Sequence, residues 1–127
     1  MGWAIASEAA EAVLADARDR HPHEACGLLL GQLGTVTRAV SAANVAVHPE
    51  RTFEIDPATL LRVHREARGG GEAVVGHYHS HPNGVACLSR TDAARAAVDG
   101  QLWLLASNDA LTGWVRTADG FAPVDLG

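Results

Sequence analysis

The chain has 127 residues, 47% of them apolar and 20% charged, and a formal charge of −5. Residues 1–127 are enough for a single domain around one buried core, with the composition of a folded soluble protein. The acidic balance argues against a nucleic-acid partner, and no apolar run approaches the roughly 20 residues of a membrane helix.

All ten basic residues are arginine and they are scattered, so they form no basic patch. The segment Met1 to Ser7 lacks a basic flank, and Glu8 and Glu11 interrupt the apolar stretch that follows. With no signal peptide legible there, the expected compartment is the cytoplasm. Ser7 is read as the cap of a helix running to about Arg20, with Ala10, Val13, Leu14 and Ala17 on one face. His21-Pro22-His23 stops it. The apolar run from Glu24 to Gly31 reads as a buried strand, followed across Leu33-Gly34 by an antiparallel one from about Thr35 to Val47. Thr52 to Ile55 reads as a short edge strand. Asp56-Pro57 predicts a helix start, with the carboxylate capping, and Gly69-Gly70-Gly71 its end. Ala73 to His79 is strand-like, Pro82-Asn83-Gly84 a turn, and Ser89 to about Val98 a third helix. Residues 102–106, 113–116 and 121–126 close the chain as strands, the last two joined at Asp119-Gly120. This order predicts an α/β (α+β) fold with a central, mainly β layer flanked by helices.

The candidate chemistry lies between β-like and helical segments. In an extended segment residues two apart face the same way, so His79 and His81 can aim both imidazoles at one point. Asp92 falls in the first turn of the following helix, where the helix dipole favours a carboxylate. Two nitrogens and one carboxylate oxygen leave a fourth tetrahedral position open, the pattern of a catalytic rather than a structural metal. Spacing does not choose between that set and His77, His79 and His81, which share strand parity. Ser89-x-x-Asp92 is also a sound capping box needing no metal. Cys26 and Cys87 form no CxxC motif and read as buried small side chains, a disulfide or thiols near the site. Cys87 could also compete as a ligand or act as a nucleophile. HExxH and deaminase-type PCxxC signatures are absent. Trp103 and Trp114 read as core residues.

His79-Ser80-His81-Pro82, the six residues 83–88, and Ser89-Arg90-Thr91-Asp92 resemble the HxHP and SxxD parts of the JAMM (MPN+) metallopeptidase signature. Glu24-Ala25-Cys26-Gly27-Leu28-Leu29-Leu30-Gly31 is similar to that family's glutamate-bearing strand, and Arg51 to Pro57 to the segment before its second helix. The resemblance spans about residues 7 to 107. It implies a three-layer MPN/JAB1 fold, similar to the cytidine-deaminase-like one, with a mixed sheet between helices. It implies Zn2+ held by His79, His81 and Asp92, Glu24 as general base, and Ser89 donating to the oxyanion. Ser80 would orient a ligand, and His77, outside the signature, would be a packing or rim residue. The implied substrate is a ubiquitin-like or sulfur-carrier protein cut at its C-terminal Gly-Gly, with no nucleic-acid or membrane partner. Its tail could be held by strand addition along Val45 to Ile55. The short 83–88 loop and strand-like end resemble compact stand-alone bacterial members. A zinc hydrolase of small amides and a non-catalytic MPN-type binding module are the alternatives.

Overall fold

The computed structural model describes residues 2–127, apart from the side chains of Arg90 and Thr91. The elements in chain order are β1 (Gly2–Ile5), α1 (Ser7–Arg20), β2 (Cys26–Gln32), β3 (Thr35–Ala42) and α2 (Pro57–Arg68). They continue with β4 (Ala73–Ser80), α3 (Arg90–Arg95), β5 (Leu102–Ser107), β6 (Ala110–Thr117) and β7 (Gly120–Leu126). The strands form one mixed sheet in the order β1-β3-β2-β4-β5-β6-β7, closed where β1 also pairs with β7. Pairing is antiparallel except at β1–β3, β1–β7 and β4–β5. Among the described residues no helix is long and apolar enough to cross a membrane.

Helices cover both faces. α1 packs Ala9 and Val13 against Leu29, Tyr78 and Leu104. α2 packs Val63 against Leu28 and Leu30 on the other side. Two-sided burial is why β2 and β5 read as continuous apolar runs rather than alternating ones. Each fully buried leucine, such as Leu29 or Leu104, contributes about 2 kcal/mol by leaving water. Gly76 lets β4 lie close to β5: a Cβ there would stand 2.2 Å from the Leu102 carbonyl oxygen. The register of β4 against β2 slips at Val75, between the Leu29–Gly76 and Leu30–Val74 pairs. Beyond that bulge Tyr78 faces α1, while His77 and His79 face Phe53 and Trp103.

The structure departs from the sequence-based expectations in several places. β1 was not anticipated; its amides bond only to distant chain, Ala4 N–H to Gly34 O at 2.9 Å for example. Ser7 begins α1 without capping it, since Ala6 occupies the cap position and no side chain bonds the free amides. Asp56 does sit at the cap of α2 ahead of Pro57, but its carboxylate accepts the Thr59 hydroxyl rather than a backbone amide. β3 ends at Ala42, not near Val47, and Thr52 to Ile55 is no strand; only an isolated Asn44–Ile55 bridge joins the two segments. Val45 N–H and Asp56 N–H bond across it to the Glu54 and Ala43 carbonyls, and the Asn44 side chain adds to that pairing. Its Nδ2 donates to the carbonyls of Glu24 and Thr52, and its Oδ1 accepts from the amides of Ala46 and Glu54, each at 3.0 Å. The segment from Val45 to Ile55, expected as an edge for strand addition, is thus not a regular strand. α3 stops at Arg95, short of Val98: Ala96 turns extended and packs against the Phe53 and Trp103 cluster, and Val98 is exposed. Cys26 is buried, Cys87 is exposed, and both are free thiols.

Candidate metal centre

Because β4 and β5 are parallel, the chain must cross over between them. That crossover carries the 81–84 turn and α3, so side chains gather at the carboxyl end of β4. His79 is the next-to-last residue of β4. His81 follows it, held to β5 by its N–H bond to the Ala106 carbonyl at 2.9 Å, and accepts at its own carbonyl from Gly84 N–H at 3.0 Å. Asp92 comes from the first turn of α3.

These three side chains converge. His79 Nε2 lies 3.2 Å from His81 Nε2, and each lies 3.3 Å from Asp92 Oδ2. A triangle with such edges is one face of a tetrahedron whose centre stands about 2.0 Å from each corner, the bond length of a tetrahedral metal ion to nitrogen and oxygen. All three residues are buried. His81 Nδ1 donates to the Val85 carbonyl at 3.0 Å, so its Nε2 lone pair faces the triangle. Asp92 Oδ2 also accepts Ser89 N–H at 2.9 Å, and Ser89 Oγ accepts Asp92 N–H at 3.1 Å. The capping box and the converging carboxylate are thus one structure, not competing readings of it.

The corners of the triangle are shifted in different directions. Burial pushes His79 below the ordinary histidine range despite its hydrogen bond to Asp92, leaving a neutral ring. Burial alone would raise Asp92, but the neighbouring imidazoles of His79 and His81 outweigh it and hold the carboxyl well below the usual range. His81 is opposed by burial but raised by its bonds to Asp92 and the Val85 carbonyl. Glu24 completes the group: one ligating atom from each of Glu24, His79 and His81 lies within 4.8 Å of the others. Its carboxylate is buried, Oε1 has no partner among the described residues, and burial pushes it up to about 7 against the pull of His81.

Residues 6–118 match the family described as prokaryotic homologs of the JAB domain. The chain belongs to that family. It is 34% identical over 129 residues to a desampylase from Haloferax volcanii, covering 96% of this chain and 93% of that protein. It is 33% identical over 105 residues to a CysO-cysteine peptidase from Mycobacterium tuberculosis, covering 81% of this chain and 71% of that protein. The crystal structure of a JAB1/MPN domain protein from Archaeoglobus fulgidus superposes with a TM-score of 0.60 at 15% identity, over 100% of this chain and 97% of the other, and so shares the fold.

In this JAB domain a groove of about 180 Å3 reaches the triangle at His81 and is lined by Glu24, Arg51, Pro82, Val85 and Ser89. A larger cavity of about 490 Å3 lies behind the 81–84 turn, between α1 and the Asn108-Asp109 turn, and reaches neither Glu24 nor Ser89. Both spaces touch His81, and the smaller groove is the one that joins it to Glu24 and Ser89. His77 does not join the triangle. Its ring packs edge-on against Trp103, with centroids 4.2 Å apart, which bears out its reading as a packing residue. Trp103 is core, as expected. Cys87 lines the groove but is absent from the converging group. Ser80 Oγ accepts Ala25 N–H at 2.8 Å instead of touching a histidine. Residues the sequence did not single out are Asn44, Phe53 and Arg95. Phe53 stood in the Arg51 to Pro57 segment already noted, but nothing in its spacing pointed at His79.

Proposed function

We propose that this chain is a zinc-dependent peptidase that hydrolyses the peptide or isopeptide bond after the C-terminal Gly-Gly of a ubiquitin-like or sulfur-carrier protein. The observation that carries the reading is the buried Glu24 carboxylate beside the His79-His81-Asp92 triangle. Those three residues would be the zinc ligands; two nitrogens and one oxygen leave a position open, as catalytic zinc requires. Zinc bound there would lower the pKa of a water to near 7 and polarise the scissile carbonyl. Glu24, buried beside the triangle, is placed to accept a proton from the attacking water and return it to the leaving amine. Ser89 spends its lone pair on Asp92 N–H, so its hydroxyl hydrogen is free to donate to the developing oxyanion. A small groove bounded by Glu24 and Ser89 favours residues without side chains next to the cut bond, which fits a Gly-Gly end. The kinship with a desampylase and a CysO-cysteine peptidase supports the substrate class.

The test is a ubiquitin-like protein carrying a C-terminal extension, incubated with enzyme and one equivalent of zinc, with products weighed by mass spectrometry. A cut after Gly-Gly is expected, abolished by a chelator and by Glu24→Gln, while Glu24→Gln still binds one zinc. Full activity of Glu24→Gln would refute the proton role. Turnover of small amides without any cut after Gly-Gly would refute the substrate.

A further inference from the structure

The two histidines of the triangle are held in different ways. His81 is oriented by a hydrogen bond from Nδ1 to the Val85 carbonyl. His79 has none: its Nδ1 is buried and unpartnered among the described residues. A metal-ligating histidine ordinarily donates its second nitrogen to a carbonyl or carboxylate, which fixes the ring. Without that bond, rotation about the torsion that turns an imidazole is soft. Something else must set the plane of His79.

Phe53 does. Its ring lies almost flat on His79, with centroids 4.5 Å apart and planes at 21°, and Trp103 meets the same imidazole edge-on, at 5.9 Å and 88°. Phe53 is itself clamped from α3. Arg95 Nη1 donates to the Phe53 carbonyl and, at 3.3 Å, to Thr52 Oγ1, and its guanidinium stands 5.4 Å from the Phe53 ring centroid. Arg95 lies one turn beyond Asp92, so the helix that brings the third corner of the triangle also anchors the ring that orients the first.

We propose that Phe53 is a positioning residue for the metal centre, fixing the His79 imidazole by face-to-face stacking in place of the hydrogen bond that His79 Nδ1 lacks. The inference rests on the metal-site reading above. It requires a flat ring at position 53, not merely apolar volume, and it makes Arg95 an accessory to metal binding from outside the triangle.

The experiment compares wild type, Phe53→Met, Phe53→Tyr and Arg95→Gln. Zinc affinity is measured by competition with a chromophoric chelator, and geometry by the visible absorption of the cobalt-substituted protein. Far-UV circular dichroism of each metal-free protein checks folding. Phe53→Met keeps apolar volume but not the flat face, and is expected to bind zinc about tenfold more weakly, with altered cobalt bands. Phe53→Tyr should stay within about twofold of wild type, and Arg95→Gln should weaken binding by about threefold. A folded Phe53→Met with wild-type affinity and unchanged cobalt bands overturns the proposal. If Phe53→Met does not fold, Arg95→Gln decides, and wild-type affinity with unchanged bands there overturns it equally. Failure of the wild-type protein to bind zinc would refute the metal-site reading itself, and with it this inference.

Discussion

Ser80 and Ala25 are joined twice: Ser80 Oγ accepts the Ala25 amide at 2.8 Å, and the Ser80 amide donates to the Ala25 carbonyl at 3.0 Å. The residue between His79 and His81 thereby holds the chain position next to Glu24. The distance from carboxylate to triangle is set by this pair, with Glu24 N–H bound to the Pro49 carbonyl at 2.7 Å on its other side.

Ser80→Ala should therefore act on Glu24 rather than on the metal. It leaves the buried Ala25 amide without its side-chain acceptor, at a cost of about 1–3 kcal/mol in urea denaturation. Turnover should fall while zinc affinity stays within about twofold of wild type. Ser80→Thr, which restores the hydroxyl, should recover part of both losses.

Ser89 has two tasks in the proposed mechanism, and two substitutions separate them. Ser89→Ala removes the helix cap and the oxyanion donor, costing about 1 kcal/mol of stability and about 100-fold in kcat. Ser89→Gly also removes the donor, but glycine is tolerated at this cap position to within a few tenths of a kcal/mol. Near-normal stability with a 100-fold lower kcat is expected for Ser89→Gly, measured by denaturation and steady-state kinetics. An unchanged kcat would leave Ser89 a cap alone.

Asn44 holds the 44–55 segment by four side-chain bonds to backbone at 3.0 Å. Asn44→Ala should cost about 2 kcal/mol, since solvent repays only part of what these groups lose. Amide hydrogen exchange should quicken across residues 45–54 before it does in β2 or β5. Uniform acceleration throughout the protein would contradict this local role.

The two thiols should behave oppositely. Cys87 is exposed and should react with a thiol reagent in the native protein, while Cys26, fully buried, should react only after unfolding. Burial pushes the Cys26 thiol up to about 12 from its ordinary 9.0. Between those values the unfolded chain has released a proton that the folded one keeps, so Cys26 makes stability fall as pH climbs from about 9 towards 12. Thiol counts in native and denaturing buffer, and urea midpoints across that range, check both statements.

Much of this protein was legible from residue order alone. Alternation along a strand and the first turn of a helix make His79, His81 and Asp92 candidates, and the resemblance of His79-Ser80-His81-Pro82 and Ser89-Arg90-Thr91-Asp92 to the JAMM signature selects them. The strands of residues 26–32, 102–107 and 120–126, the Pro57 helix start and the Gly69 stop follow from the same short-range rules. Alternation could not decide between His77 and Asp92. The motif resemblance chose Asp92, and in space the β4–β5 crossover carries α3 back to His79 while Trp103 packs against His77. β1 was invisible because its partners lie far along the chain, and the 44–55 segment because an isolated bridge and one side chain, Asn44, hold it without a regular strand. The stacking of Phe53 on His79 belongs to the same class: it joins residues 26 positions apart (79 − 53), with no periodicity between them to betray it. The sequence determined which groups could do the chemistry. Tertiary structure decided which of them meet, because convergence depends on long-range pairing and packing that no local pattern encodes.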